Sequence, residues 1–336
     1  MAAPVESTSV SASSSTPSLS HPLKCFDFPQ HPPQLSLSPE QIEYCNDAIH
    51  CLKENLGHPD FKEREFDLLE VESMKESDVE EKKEELCKVA IHVDNLNKNR
   101  YPNVLPFDSN RIVLTDGGYI NASFVKSSAE HAPQFIATQG PLPSTFSDFW
   151  EMVLQYRCPV IVMLTRLFEG KLKCDDYFQA ENGPNEFGNI SIVTTWIKET
   201  GSSLVFRHLE VTKAESKEPP LSVLHIQYLG WPDHGTPKDT LAVREIFRRT
   251  FHQSPSVGPI LVHCSAGIGR TGTYCTIHDT IQRILGGDKS ALELAKTVKA
   301  FRFQRAGMVQ SLDQYKFCYK AVIDELEELI SGGNNP

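Results

Sequence analysis

A chain of 336 residues with 40% hydrophobic residues can bury one large core or two ordinary ones, and none of its apolar runs nears the roughly 18 to 20 residues that span a bilayer. A net charge of −11 argues against nucleic acid as the main partner. Nine cysteines without regular spacing argue for reduced thiols rather than a disulfide framework, and no Cys/His set has zinc spacing. The start lacks a basic-then-apolar signal pattern and the end carries no prenylation box, so the cytoplasm, or the nucleus as well, is the expected location.

In chain order, residues 1–37 are rich in Ser, Pro and Thr and are expected to form a disordered tail, serving either as a docking segment or as a plain solvated extension. Ser38, Pro39 and Gln41 make a helix start with a capping box, and Ile42, Cys45, Ile49, Leu52 and Leu56 follow at helical spacing up to Gly57-His58-Pro59. The segment 38–60 is therefore expected to pack as an N-terminal helix on one domain over 61–330, with 331–336 flexible. Helices are predicted at 61–74 and 78–89, and their dense Asp and Glu are read most simply as solvated faces.

After Asn95 the pattern turns to short strands, predicted at 112–114, 119–125, 134–138, 160–164, 189–195, 204–211 and 223–228, with a helix at 145–156. A further strand is predicted at 260–262, and helices at 240–251, 271–285, 290–300 and 312–330. This is an α/β pattern: one large twisted mixed sheet with helices on both sides, and no internal repeat.

The densest chemistry lies at Ile260–Gly272, which reads as a buried strand, a glycine-bearing loop and a helix start. A helix N-terminus offers unpaired N–H groups and about half a positive charge, so a loop wrapped over it traps a phosphate-sized anion. The same field is expected to hold Cys264, at the loop's start, as a thiolate at neutral pH. Arg270, at the loop's end, offers a planar two-pronged donor for phosphate oxygens. A sulfur placed under a bound phosphoryl group is a nucleophile for phosphorus.

His263-Cys264-Ser265-Ala266-Gly267-Ile268-Gly269-Arg270-Thr271-Gly272 resembles the signature of the cysteine-dependent, tyrosine-specific protein phosphatases. The resemblance implies that family's fold and hydrolysis of phosphotyrosine through a cysteinyl phosphate, without metal or cofactor. Asp233, in Trp231-Pro232-Asp233-His234-Gly235, reads alone as a turn aspartate, and the resemblance makes it general acid on a mobile loop. Arg305-Ala306-Gly307-Met308-Val309-Gln310-Ser311 resembles the family's glutamine loop, with Gln310 positioning water and Gln314 beside it. Asn97-Lys98-Asn99-Arg100-Tyr101 resembles its phosphotyrosine-recognition loop, with Tyr101 walling a pocket too deep for phosphoserine. Asn103 stands where the best-known human members carry a substrate-gripping aspartate. In Phe168-Glu169-Gly170-Lys171-Leu172-Lys173-Cys174 the resemblance implies that Glu169 braces Arg270 and Lys173 meets Asp233.

Thr271 can donate to the departing sulfur, and His263 can tune the loop through backbone hydrogen bonds. Asn121 is expected to brace the loop. The backbone of Ser265, Ala266, Gly267, Ile268 and Gly269 would cradle the phosphate. An accessible thiolate at Cys264 oxidises readily, and Cys174 is either a second sensor or buried and inert. The tail and the Ser38 helix look most like the small cytosolic plant tyrosine phosphatases, which are associated with MAP kinases. The expected partners are tyrosine-phosphorylated proteins, MAP kinases among them, acted on by a monomer. A catalytically weak phosphotyrosine-binding module and a phosphoinositide phosphatase remain open alternatives at this point.

Overall fold

The computed structural model describes residues 32–332 except positions 34, 59, 75, 130–133, 181–182, 233–234 and 252–256. Most of the expected tail, the last four residues and Asp233 lie outside the described residues. Helix α1 spans Pro39–Gly57 and starts with the expected capping box: Gln41 N donates to Ser38 Oγ at 3.2 Å, and Ser38 N to Gln41 Oε1 at 2.9 Å. Cys45, Ala48 and Leu52 are its buried stripe.

Helices α2 (Phe61–Glu72) and α3 (Glu76–Leu86) follow. The third ends earlier than expected because Asp108 takes the N–H groups of Lys88 and Val89 at 2.7 and 3.2 Å. Next come β1 (Ala122–Lys126), β2 (Gln134–Thr138), α4 (Phe146–Gln155) and β3 (Val160–Met163). A hairpin of β4 (Phe168–Glu169) and β5 (Lys171–Leu172) precedes β6 (Asn185–Phe187), β7 (Ile190–Glu199), β8 (Leu204–Lys213) and β9 (Leu221–Tyr228). The chain closes with α5 (Leu241–Thr250), β10 (Ile260–His263), α6 (Gly269–Leu285), α7 (Leu294–Arg302) and α8 (Leu312–Gly332).

Among the described residues eight strands form one mixed sheet in the order β1-β2-β10-β3-β9-β8-β7-β6. Strands β2, β10, β3 and β9 run parallel, and antiparallel neighbours flank them. Both faces are covered, so β3 and the first three residues of β10 are apolar throughout. Val160, Val162, Ile260 and Val262 pack under α1, α2 and α5–α8, while Ile161, Met163 and Leu261 pack under α4. Strand β10 thus lies deep in the sheet, and Cys264 follows its last residue.

Three expectations need correction. The run 112–114 is not a strand, since only Arg111 bridges to Ser123. Ile112 N still bonds Ala122 O at 2.9 Å, but beyond it side chains near the end of α4 take the backbone: Gln155 bonds Thr115 N and Val113 O at 2.9 and 2.8 Å, and Tyr156 reaches Val113 O. The helix expected at 290–300 divides into a 3₁₀ turn, Lys289–Leu292, and α7. The acidic face of α2 is not simply solvated. Glu63 pairs with Lys316 of α8 at 2.5 Å, Glu72 with Lys299 of α7 at 2.9 Å, and Glu70 with Arg302 at 2.7 Å.

Candidate active site

Cys264 is 5% exposed at the C-terminal end of a central parallel strand, where the loop 264–268 crosses to the N-terminus of α6. Its sulfur receives hydrogen bonds from Gly267 N and Thr271 Oγ1, both at 3.3 Å. Gly267 sits at φ +75°, and a Cβ there would stand 2.1 Å from Thr138 O, so no side chain fits. A Cβ on Gly272 would meet Val309 N at 2.5 Å, which ties the start of α6 closely to the 305–311 segment.

The loop's outer side is held by a residue to which the sequence reading gave no role. Arg305, 1% exposed, donates from Nε to Gly267 O at 2.8 Å and from Nη2 to Ala266 O at 3.1 Å. Its other bonds reach Ser123 Oγ at 3.2 Å and Asn121 Oδ1 at 2.9 Å. Turning the carbonyls of Ala266 and Gly267 outward turns the N–H groups of Gly267 and Ile268 inward, because each trans peptide carries the two on opposite sides. Burial lowers the Arg305 guanidinium to about 10, and all four of these partners are neutral. Asn121 braces the loop as expected, since it also donates to Asn99 Oδ1 at 2.9 Å and Val104 O at 2.7 Å.

Arg270 is 8% exposed and meets Glu169 of the β4–β5 hairpin through two parallel bonds, Nη1 to Oε1 at 2.9 Å and Nη2 to Oε2 at 2.7 Å. It also reaches Leu164 O and Pro232 O, each at 3.1 Å. Burial, the largest influence on the Glu169 carboxyl, pushes it up, but the bonds from Arg270 and Arg166 N outweigh it and the net direction is down. Glu169 is therefore an anion that fixes the angle of the guanidinium plane.

His263 is fully buried, and burial lowers it to about 4 against the opposing bond to Cys264 O, so the ring is neutral. Nδ1 donates to that carbonyl at 3.1 Å, which leaves Nε2 bare to accept from the Tyr177 hydroxyl at 2.6 Å. Tyr177 then accepts from His225 Nε2 at 3.0 Å. The Cys264 carbonyl thereby fixes the direction of a buried hydrogen-bond chain. Tyr177 and His225 were absent from the sequence reading, and no spacing marks them.

A cavity of about 260 Å³ opens above the sulfur, lined among others by Tyr101, Asn103, Lys173, Ser265, Ala266, Arg270, Gln310 and Gln314. Ser265 donates to Lys173 O at 2.7 Å, so the Tyr101 hydroxyl must donate to Ser265 Oγ at 2.9 Å. That bond, together with Arg100 held by Gly140 O, Pro141 O and Asp175, fixes the cavity wall. Gln314 Oε1 accepts from Gln310 N at 2.9 Å, and a Cβ on Gly269 would clash with Gln310 Oε1 at 2.4 Å. Of the candidate site residues, Asp233 alone lies outside the described positions. Its loop is anchored by Trp231, 2% exposed, whose Nε1 donates to Gly235 O at 3.0 Å. Cys174 is buried, its thiol pushed up by burial.

Among the described residues, then, an eight-stranded mixed sheet has a central strand that runs directly into a cysteine, under a glycine loop closed by an arginine. The profile described as Protein-tyrosine phosphatase matches residues 95–324, and the chain belongs to that family. It is 54% identical over 336 residues to Protein-tyrosine-phosphatase PTP1 of Arabidopsis thaliana, covering 97% of each chain. It is 37% identical over 254 residues to human tyrosine-protein phosphatase non-receptor type 13, covering 72% of this chain and 10% of that one. It is 38% identical over 249 residues to non-receptor type 20 of Rattus norvegicus, covering 73% and 58%. No helix among the described residues is long and apolar enough to cross a membrane.

Proposed function

We propose that the chain hydrolyses phosphotyrosine in proteins through a cysteinyl-phosphate intermediate. The observation that carries the reading is the Cys264 sulfur under two donors at 3.3 Å, at the floor of a cavity walled by Tyr101 and flanked by a fixed Arg270. In the first step the sulfur attacks phosphorus and the P–O bond to the tyrosine breaks. Asp233 gives its proton to the departing phenolic oxygen, a contribution of about 10²- to 10⁴-fold in rate. Arg270 and the inward N–H groups meet the charge on the phosphoryl oxygens as it spreads in the transition state. In the second step Gln310 orients a water that attacks phosphorus, Asp233 takes its proton, and the P–S bond breaks to release inorganic phosphate. Thr271 donates to the departing sulfur.

The resemblance to plant tyrosine phosphatases extends the proposal to MAP kinases as targets in cytoplasm and nucleus, met by a monomer with a redox-sensitive Cys264. The test compares a phosphotyrosine peptide, a phosphoserine peptide and a phosphoinositide. Release of phosphate from the first alone is expected, with loss of turnover in Cys264→Ser and a large fall in kcat in Asp233→Ala. Binding without turnover would make the chain a phosphotyrosine-binding module. Turnover of the phosphoinositide at a comparable rate would overturn the substrate class.

A further inference from the structure

Next to Gly235 in the chain begins the wall of a groove of about 390 Å³ that no step above uses. Its walls are the segment Thr236–Lys238, Leu56 near the end of α1, and one face of α8 carrying Asp313, Lys316, Phe317 and Lys320. The spacing 313, 316, 317, 320 places all four on one helical stripe. The floor is apolar, since Pro237 is buried and Phe317 is 5% exposed. The rim is cationic. Lys238 and Lys320 are exposed and have no partner among the described residues, while Lys316 is shared with Glu63 at 2.5 Å. Asp313 is the carboxylate on the lining itself. In a chain of net charge −11 this is a local reversal of sign.

The groove also touches the loop. The Phe317 ring packs on Trp231 with centroids 5.8 Å apart, and Thr236 directly follows Gly235, whose carbonyl holds the Trp231 indole. From the apolar floor, the lysine rim and this contact, we infer that the groove is a docking site for an acidic protein segment bearing one apolar anchor. The anchor seats against Phe317 and Pro237, carboxylates meet Lys238 and Lys320, and occupancy restrains Trp231 and Thr236, which flank Asp233 in the chain. The occupant is a segment of another protein, by charge complementarity: an apolar floor alone fits many partners, but the two unpaired lysines select against basic ones.

The experiment measures fluorescence anisotropy of a labelled peptide with four glutamates around one leucine, titrated with the full chain. Saturable binding is expected, weakened at least tenfold in Lys238→Glu/Lys320→Glu and severalfold when the leucine becomes serine, and falling as salt rises from about 50 to 200 mM. Thermal melts of the double variant check that it folds. Equal binding of a peptide with lysines in place of the glutamates overturns the inference, as does displacement by inorganic phosphate, which would place the peptide in the catalytic cavity. Concentration-dependent self-association that the double variant abolishes would assign the groove to a second copy and overturn the stated occupant. Hydrolysis of p-nitrophenyl phosphate at saturating peptide is expected to change at least twofold, and an unchanged rate overturns the coupling to the loop. Binding is read independently of the proposed hydrolysis; only the coupling rests on it.

Discussion

Arg305 is a buried cation whose four hydrogen-bonded partners are all uncharged, so its charge is not cancelled where it sits and adds to the positive field under Cys264. Replacing it with methionine would strand the carbonyls of Ala266 and Gly267 and the Asn121 oxygen, each at about 1–3 kcal/mol when left unpaired. The expected loss is at least ~3 kcal/mol of stability by urea titration, with turnover down more than about tenfold; Arg305→Lys should recover part of the charge effect but not the bonds. No one-dimensional pattern separates this arginine from an exposed one, which is why it went unread while Cys264 and Arg270, fixed by spacing and glycines, were legible. Thiol chemistry is argued at the same scale. Burial pushes Cys45 to about 11 and Cys87 to about 12, and raises Cys158, Cys174, Cys275 and Cys318 as well. Iodoacetamide at neutral pH should therefore label Cys264 ahead of these six, with activity lost in step, as mass spectrometry against time would read. Peroxide should inactivate reversibly to dithiothreitol, and prior labelling of Cys174 would contradict its inert reading.

The β4–β5 hairpin has two faces with different tasks. Glu169 pairs across it with Lys171 and holds Arg270, whereas Phe168 and Leu172, also paired, are 64% and 51% exposed. Two-residue strands lie below what alternation can announce, so this element came from motif resemblance and not from periodicity. Strand-like alternation at 112–114 misled in the opposite direction. Ile112 and Leu114 do alternate inward around exposed Val113, but an edge segment whose backbone is met by Gln155 and Tyr156 needs no second strand. Glu169→Gln keeps the shape of the hairpin and removes the charge that aligns the guanidinium. We expect kcat/KM on a phosphotyrosine peptide to fall about 10- to 100-fold with little change in melting temperature, because Thr165 and Arg166 N still hold the side chain. A fall in melting temperature of the same rank as the activity loss would make Glu169 a structural residue instead. The sign with pH follows from the lowered carboxyl: the pair persists above the ordinary carboxylate range and is lost as pH falls through the folded value.

At the scale of the whole molecule, the fold class could be read from alternating apolar runs and helical stripes, because a sheet covered on both faces writes itself as unbroken β-branched strands. The docking of α2 could not, because a glutamate facing water and one facing Lys316 or Arg302 look alike in sequence. Nor could the protonation of the core histidines, which sets how the molecule meets acid. His263 and His278 are both lowered by burial to about 4 from 6.5, and His225 is held well below its ordinary value for the same cause. The unfolded chain takes up these protons first as pH falls below about 6.5, while the folded chain refuses them, so unfolding is favoured progressively down to the folded values. Each histidine lowered to about 4 removes at most ~1.4 kcal/mol per pH unit, about half of that near pH 6.5. Asp279 and Glu325 are raised by burial and act in the opposite sense once carboxylates titrate, so the window that isolates the histidines is roughly pH 7 to 5.5. Urea midpoints should fall steadily across it, and the slope should flatten by roughly 0.8 kcal/mol per unit, averaged over the window, in His278→Gln. That substitution lies in α6 among Phe135, Phe247 and Tyr274, away from the sulfur, so the slope changes without removing a group from the cavity. A midpoint that stays level from pH 7 to 5.5, or a slope that survives the substitution unchanged, would mean that the buried imidazoles do not carry the acid response.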